Sequence, residues 1–189
     1  MGDPAHGRRR PGARYVVGVD ASAIPILYTE RLVLRGWRAS DVDAHAEMCA
    51  DPEVQRFVGG PLDREQSWRT LAVAVGHWTL RGYGHWALER RSDGRVIGHA
   101  GLWNPEGWFG VEVGWTLARD TWGNGYATEA AQAAVEWAWA NLDVERLISV
   151  IAPDNTASMR VAGRLGMRRD REAEAHGERV VIMALDRHP

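Results

Sequence analysis

The stretch that decides the fold runs Glu112-Val113-Gly114-Trp115-Thr116-Leu117-Ala118-Arg119-Asp120-Thr121-Trp122-Gly123-Asn124-Gly125-Tyr126-Ala127-Thr128-Glu129-Ala130-Ala131. Its first part alternates. Val111, Val113, Trp115 and Leu117 share one side of an extended chain, and Glu112, Gly114 and Thr116 share the other. A Gly-x-Gly turn at Gly123 and Gly125 follows, and it opens an Ala-rich helix. The stripe Ala127, Ala130/Ala131, Ala134/Val135 and Ala138 carries that helix to about Asn141. Glycine admits positive φ and lets a ligand approach the backbone. The first N–H groups of a helix have no internal partner, and the helix dipole places partial positive charge there. Strand, glycine turn and helix in this order make an anion site suited to a pyrophosphate.

The motif is not a P-loop, because no Gly-Lys-Ser/Thr follows it. It also lacks the third glycine of a dinucleotide fingerprint and lies past the middle of the chain. On spacing alone, a tight turn without a ligand reads equally well.

Outward from this unit, Arg31–Trp37 is β-branched and apolar and suits a strand. Val42, His45, Ala46 and Cys49 fall at helical spacing from Ser40-Asp41 until Asp51-Pro52 stops them. A second helix is predicted from Asp63, with Trp68, Leu71, Ala72, Val75 and Trp78 on one face and Gly82 and Gly84 at its end. Gly84–Arg90 and Arg95–Leu102 form a hairpin about Ser92-Asp93-Gly94. Beyond Asn141 come a strand at Arg146–Ile151, a helix at Asn155–Leu165 closed by Gly166, and a last hairpin about His176-Gly177. The expected class is α/β, one domain with a mixed, mostly antiparallel sheet of roughly seven strands flanked by roughly four helices.

Composition narrows the function. The chain has 189 residues, 45% hydrophobic and 25% charged, with net charge −2 and a pI near 6.4. No basic field draws nucleic acid or an anionic membrane, and no apolar run of bilayer-spanning length occurs. A single cysteine, Cys49, excludes an intrachain disulfide and a multi-cysteine metal site. His77, His85 and His99 lack ligand spacing, so no metal is expected. Residues 1–26, Gly/Pro/Arg-rich at the start and without a continuous apolar core, read as a flexible extension rather than a signal peptide, with the domain at 27–189. Cytoplasm is the expected compartment.

Trp122-Gly123-Asn124-Gly125-Tyr126-Ala127-Thr128-Glu129-Ala130 resembles the acyl-CoA-binding motif of the GNAT N-acetyltransferase superfamily, in particular its ribosomal-protein N-terminal alanine acetyltransferase branch. Thr29–Arg35, Glu112–Trp115 and Asn155–Met167 resemble three further segments of that branch, in order and spacing. The resemblance implies a GNAT-like fold that binds acetyl-CoA as co-substrate and acetylates a primary amine. The amine belongs to a protein N-terminus or a small molecule and attacks directly in a ternary complex. It places the pyrophosphate on backbone amides of Gly123, Asn124, Gly125, Tyr126, Ala127 and Thr128. Pantetheine would run along Trp115, Thr116 and Leu117, with Asn155 contacting the cofactor. Trp122 stands where the superfamily often has Arg or Gln, as is common in this branch.

A substrate amine near pKa 10 is protonated at neutral pH, so a base must take its proton. Glu112 is the candidate, on a strand side shared with the small Gly114 and Thr116; a solvated strand carboxylate is the bland alternative. The late helix carries Ala162 where many relatives have an acidic tyrosine, leaving Ser158 as the candidate to protonate or orient the leaving sulfur. A helix-backbone role explains Ser158 equally well. His45 and Cys49 read as packed residues. Trp68 and Trp78 read as core, and Trp86, Trp103 and Trp108 as candidates for an aromatic acceptor pocket. Glu129 reads as structural, and Arg160 and Arg164 as solvated or cofactor-facing. Two rivals stand beside the enzyme: a non-catalytic acyl-CoA-binding or regulatory domain, and an enzyme using the glycine turn for another nucleotide. A homodimer is a reasonable assembly.

Overall fold

Leu32 and Leu34 are wholly buried on one side of a short strand, and this pairing of apolar residues two apart starts the sheet. The computed structural model describes residues 24–187. Eight strands form one sheet: β1 (Leu27–Tyr28), β2 (Leu32–Arg35), β3 (His85–Arg90), β4 (Val96–Trp103), β5 (Glu112–Leu117), β6 (Arg146–Ile151), β7 (Arg168–Ala175) and β8 (Glu178–Asp186). Their spatial order is β1-β2-β3-β4-β5-β6-β8-β7. Every neighbouring pair is antiparallel except β5 and β6, which are parallel and share one bridge, Glu112 with Ile148.

Five α-helices connect the strands: α1 (Val42–Ala50), α2 (Pro52–Gln55), α3 (Arg64–Arg81), α4 (Tyr126–Asn141) and α5 (Thr156–Arg164). The α4 stripe Ala130, Ala131, Ala134, Val135 and Ala138 is buried against Ala100, Leu102, Val113 and Leu117. These small side chains let the helix axis lie close to the sheet. On the opposite face, α1 brings His45 within 6.2 Å of His99, and α3 stacks His77 on Trp103 at 4.5 Å, measured between ring centroids.

The α/β class with a mostly antiparallel sheet and the element order agree with the sequence reading. Two small elements were not foreseen there. β1 is two residues long, too short for periodicity to show. Asp51-Pro52 ends α1 and also begins α2: Pro52 is its first residue, and the Asp51 carboxylate accepts the Glu53 N–H at 2.9 Å. The α3 face also needs correction. Leu71 and Trp78 are buried as expected, whereas Trp68 is 57% exposed and Ser67 faces inward. The reason is polar: the Ser67 hydroxyl lies 2.8 Å from Nδ1 of buried His45, which requires a partner. Trp86, considered for an acceptor pocket, is instead fully buried in the α4-side core.

Ile24 packs against the core, and the carbonyl of Pro25 accepts the Trp86 Nε1–H bond at 2.8 Å. The expected flexibility of the N-terminal extension lies, for residues 1–23, outside the described residues. Among the described residues no helix is long and apolar enough to cross a membrane.

One buried ion pair ties the start of the sheet to the α1 entry. Arg35 donates to both Asp41 oxygens at 2.7 and 2.9 Å and to Glu89 at 2.7 Å, and both Arg35 and Asp41 are under 5% exposed. Removing one partner strands a buried charge. Asp41→Ala is expected to lower the unfolding free energy by about 3–5 kcal/mol, read by urea denaturation.

Candidate active site

β5 and β6 part immediately after their single bridge. The Ile148 N–H still reaches the Val111 carbonyl at 3.0 Å, but the next rungs are made by side chains. The Ser149 hydroxyl donates to the Val113 carbonyl at 2.7 Å, and the Val150 N–H donates to the Glu112 carboxylate at 3.1 Å. Backbone polarity alternates along an antiparallel pair, so Trp115, in step with Val111 and Val113, turns its N–H and C=O into the opening between the strands.

The two strands are parallel, so their C-terminal ends lie at the same end of the opening, where α4 and α5 begin. Gly123 and Gly125 adopt φ of 79° and 81°, a region that costs other L-residues about 1–2 kcal/mol. Gly125 is the α4 N-cap and offers no side chain to the first turn. Among the described residues, the amides of Gly123, Asn124, Gly125, Tyr126, Ala127 and Thr128 donate to no carbonyl or side chain; the Glu129 N–H is the first to find one, Gly125 O at 3.1 Å. The Thr128 hydroxyl, buried in that same turn, also lacks a partner. Six free amides and an orphaned hydroxyl at a helix N-terminus fit a polyanionic ligand.

A clamp that periodicity could not show holds this loop. The Glu129 carboxylate accepts from the Thr29 hydroxyl at 2.6 Å, the Arg31 N–H at 2.8 Å and Arg31 Nε at 2.7 Å. Arg31 Nη1 donates in turn to the Asn124 carbonyl at 2.8 Å, and its guanidinium lies 4.7 Å from the centre of the Tyr126 ring. Thr29–Arg31 and the glycine loop thus form one unit, and Glu129 is structural, as read from its place in the chain. Trp122 is committed as well: its Nε1–H bonds the Leu117 carbonyl at 2.8 Å, leaving a half-exposed ring face rather than a free donor.

At the start of α5, the Asn155 side-chain oxygen accepts the Ser158 N–H at 3.1 Å, capping the helix. The Asn155 amide nitrogen and the Ser158 hydroxyl make no hydrogen bond among the described residues. Ala162 is fully buried in the core. Arg160 and Arg164 are exposed.

Glu112 sits where the strands part. Its carboxylate accepts from Trp108 Nε1 at 2.7 Å and from the Val150 N–H, with no cation beside it. Burial pushes its pKa up to about 7, and the two N–H donors only partly oppose this. Trp103 is its register partner on β4. Trp103, Trp108 and Phe109, with Glu174 and His176 from the last hairpin, line a pocket of about 440 Å³ beside it. Of the three tryptophans considered for a pocket, Trp103 and Trp108 thus line one.

Cys49 and His45 also come together, with Sγ 3.7 Å from both ring nitrogens. Burial pushes the thiol pKa up and the imidazole pKa down to about 4. A neutral pair of this kind is the reverse of an activated thiolate. Among the described residues no three His, Cys, Asp or Glu side chains assemble as a metal site.

Splayed parallel strands, a free-amide helix start and a part-buried carboxylate with its pKa raised to about 7 thus meet at one end of the sheet. Residues 31–168 match the model of the acetyltransferase (GNAT) domain family. The chain belongs to that family and is an acetyl-CoA-dependent N-acetyltransferase. It is 28% identical over 147 residues to the N-acetyltransferase p20 of Bacillus licheniformis, covering 76% of this chain and 83% of that one. The acetyltransferase of Agrobacterium tumefaciens str. C58 superposes with a TM-score of 0.79 at 31% identity, covering 96% and 100% of the two chains. RimL, the ribosomal L7/L12 alpha-N-protein acetyltransferase solved with coenzyme A, shares the fold at a TM-score of 0.73 and 20% identity, covering 86% and 98%.

Because the folded-state pKa of Glu112 lies above the ordinary carboxylate value, its contribution to stability is full at acid pH and is lost as pH rises from about 4.5 through about 7. Glu112→Gln removes the buried charge. It is expected to be more stable than the parent at pH 8.5, by about 1–3 kcal/mol, and no more stable at pH 5, measured by thermal unfolding at the two pH values.

Proposed function

We propose that the enzyme transfers acetyl from acetyl-CoA to a primary amine by direct attack in a ternary complex, with Glu112 as the general base. One observation carries this reading: the carboxylate lies at the point where β5 and β6 separate, held by two neutral N–H donors, with its pKa raised to about 7. A base poised there accepts a proton from an ammonium group and releases it to water at neutral pH.

The free amides of Gly123 to Thr128 and the Thr128 hydroxyl hold the pyrophosphate. Trp115–Leu117 guide pantetheine along the β5 edge, Trp122 lays its ring against the cofactor, and Asn155 donates to it from α5. A backbone N–H of β5 facing the opening polarises the thioester carbonyl. The unpaired hydroxyl of Ser158, at the same end of the opening, donates to the leaving sulfur. The amine enters through the Trp103–Trp108 pocket, whose volume of about 440 Å³ suits a small amine or the first residues of a peptide. Structural neighbours at under 25% identity act, by their names, on ribosomal proteins and aminoglycosides. Both acceptor classes therefore belong in the test.

The test is release of free CoA against a panel of primary amines and N-terminal peptides, with parent and Glu112→Gln enzymes. The substitution is expected to lower kcat about 10²–10⁴-fold with little change in acetyl-CoA affinity. For the parent, kcat/KM is expected to rise with pH through about 7, and the substitution is expected to abolish that ionisation. A variant as fast as the parent would remove Glu112 from the chemistry.

A further inference from the structure

Three buried ring nitrogens on the α1/α3 face of the sheet lack a hydrogen-bond partner among the described residues: Trp37 Nε1, His99 Nδ1 and His85 Nε2. Buried polar groups are nearly always paired, so a cluster of exceptions calls for a physical reason. They belong to one contiguous row. The His85 and His99 ring centroids are 5.0 Å apart, His99 and His45 are 6.2 Å apart, and Trp37 lies 5.2 Å from His45.

The inner end of this row reaches the proposed chemistry. His85, Gly101 and Gly114 stand in register across β3, β4 and β5. Two successive glycines clear that line across the sheet. The His85 imidazole lies over it, with Nε2 3.3 Å from where a Cβ on Gly114 would stand. Glu112 is two residues before Gly114, on the same side of β5, and its register partner Trp103 stacks on the His85 ring at 5.5 Å and 18°. His85 Nε2 and Glu112 thus flank the bare backbone of Gly114.

An ammonium substrate loses two protons in becoming an amide, and Glu112 holds one at a time. We propose that His85 is the second proton acceptor of the site, taking a proton from the acceptor nitrogen across Gly114 from Glu112. This rests on Glu112 being the base. The steps balance. Glu112 takes the first proton, and the nitrogen lone pair forms the C–N bond as the carbonyl π pair moves to oxygen. The cationic nitrogen of the adduct then gives its second proton to His85 Nε2. The C–S bond breaks as the electron pair returns, and the thiolate takes one proton. One proton therefore leaves for solvent in each turnover. Protonated at Nε2, His85 returns to its neutral form by giving that proton to solvent as the product leaves.

The groups facing His85 agree with a carrier rather than a store of protons. Burial holds His85 near pKa 4, with His77 opposing its charge further, and pushes His99 well below the ordinary range. His77, facing from α3, is excluded from the row because both its nitrogens are engaged, with the Tyr83 carbonyl at 2.7 Å and the Asn104 N–H at 3.0 Å.

The test compares His85→Phe and His85→Gln with the parent in the full chain, using the fastest acceptor from the amine and peptide panel. Phe keeps the stacked ring without nitrogens, and Gln keeps hydrogen bonding without a proton-accepting nitrogen. Both are expected to lose at least about tenfold in kcat and to show a larger solvent deuterium isotope effect, with acetyl-CoA Kd and Tm unchanged. A His85→Phe enzyme within twofold of the parent would make His85 a packing residue. Restoration of the parent rate by His85→Gln would show that His85 only holds the amine. Either result overturns proton transfer through His85 while Glu112→Gln remains inactive. Full activity of Glu112→Gln would instead overturn the reading on which this inference rests.

Discussion

The site depends on a refusal to pair. Among the described residues β5 and β6 are the only parallel neighbours in the sheet, and they keep one bridge before separating. A parallel pair left open exposes a row of backbone N–H and C=O groups, and each buried one must find a partner. Here the Ser149 hydroxyl and the Glu112 carboxylate close the gap at its root, and beyond them the β5 edge stays free. The same parting places two helix starts at one end of the opening. It also draws Glu112 out of water without giving it a cation. The open strand edge, the free-amide loop and the raised pKa of Glu112 therefore follow from one topological choice, in keeping with the tendency of open α/β sheets to bind ligands where neighbouring strands diverge.

Two carboxylates drawn out of water show how context sets chemistry. Asp41 receives a bidentate guanidinium from Arg35 and a backbone N–H, and it fastens the chain where the sheet begins. Glu112 receives only an indole N–H and a peptide N–H, and its pKa climbs to about 7. Pairing makes Asp41 a fixed structural part, whereas desolvation beside neutral donors leaves Glu112 able to exchange a proton near neutral pH. Cys49 and His45 extend the point, since contact between two reactive groups means little when desolvation drives both to their neutral forms.

Much of this was legible in the sequence because the deciding signals are local. The alternation of residues 111–117, the two glycines of the turn and the small-residue stripe of α4 each state their geometry within a few positions. What stayed hidden is long-range or polar. Arg31 and Glu129 lie 98 residues apart, and no periodicity predicts their pairing. Trp68 carried the right spacing for the core but yielded its place to Ser67, because buried His45 needed a hydroxyl. Trp86 was read at a strand end, whereas the face it occupies was decided by register with Ala100. The line His85–Gly101–Gly114 exists only once three strands are aligned, although the alternation of β5 already put the small Gly114 on the Glu112 side.

The most direct test of the account is amide hydrogen exchange with and without saturating acetyl-CoA, read at single-residue resolution. Protection is expected at Gly123 to Thr128, whose amides lack partners in the chain, and at Trp115 on the open edge of β5, with little change in β7 and β8. Unchanged exchange at Gly123–Thr128 in the presence of bound acetyl-CoA would contradict the phosphate cradle, and with it the placement of the cofactor between β5 and β6.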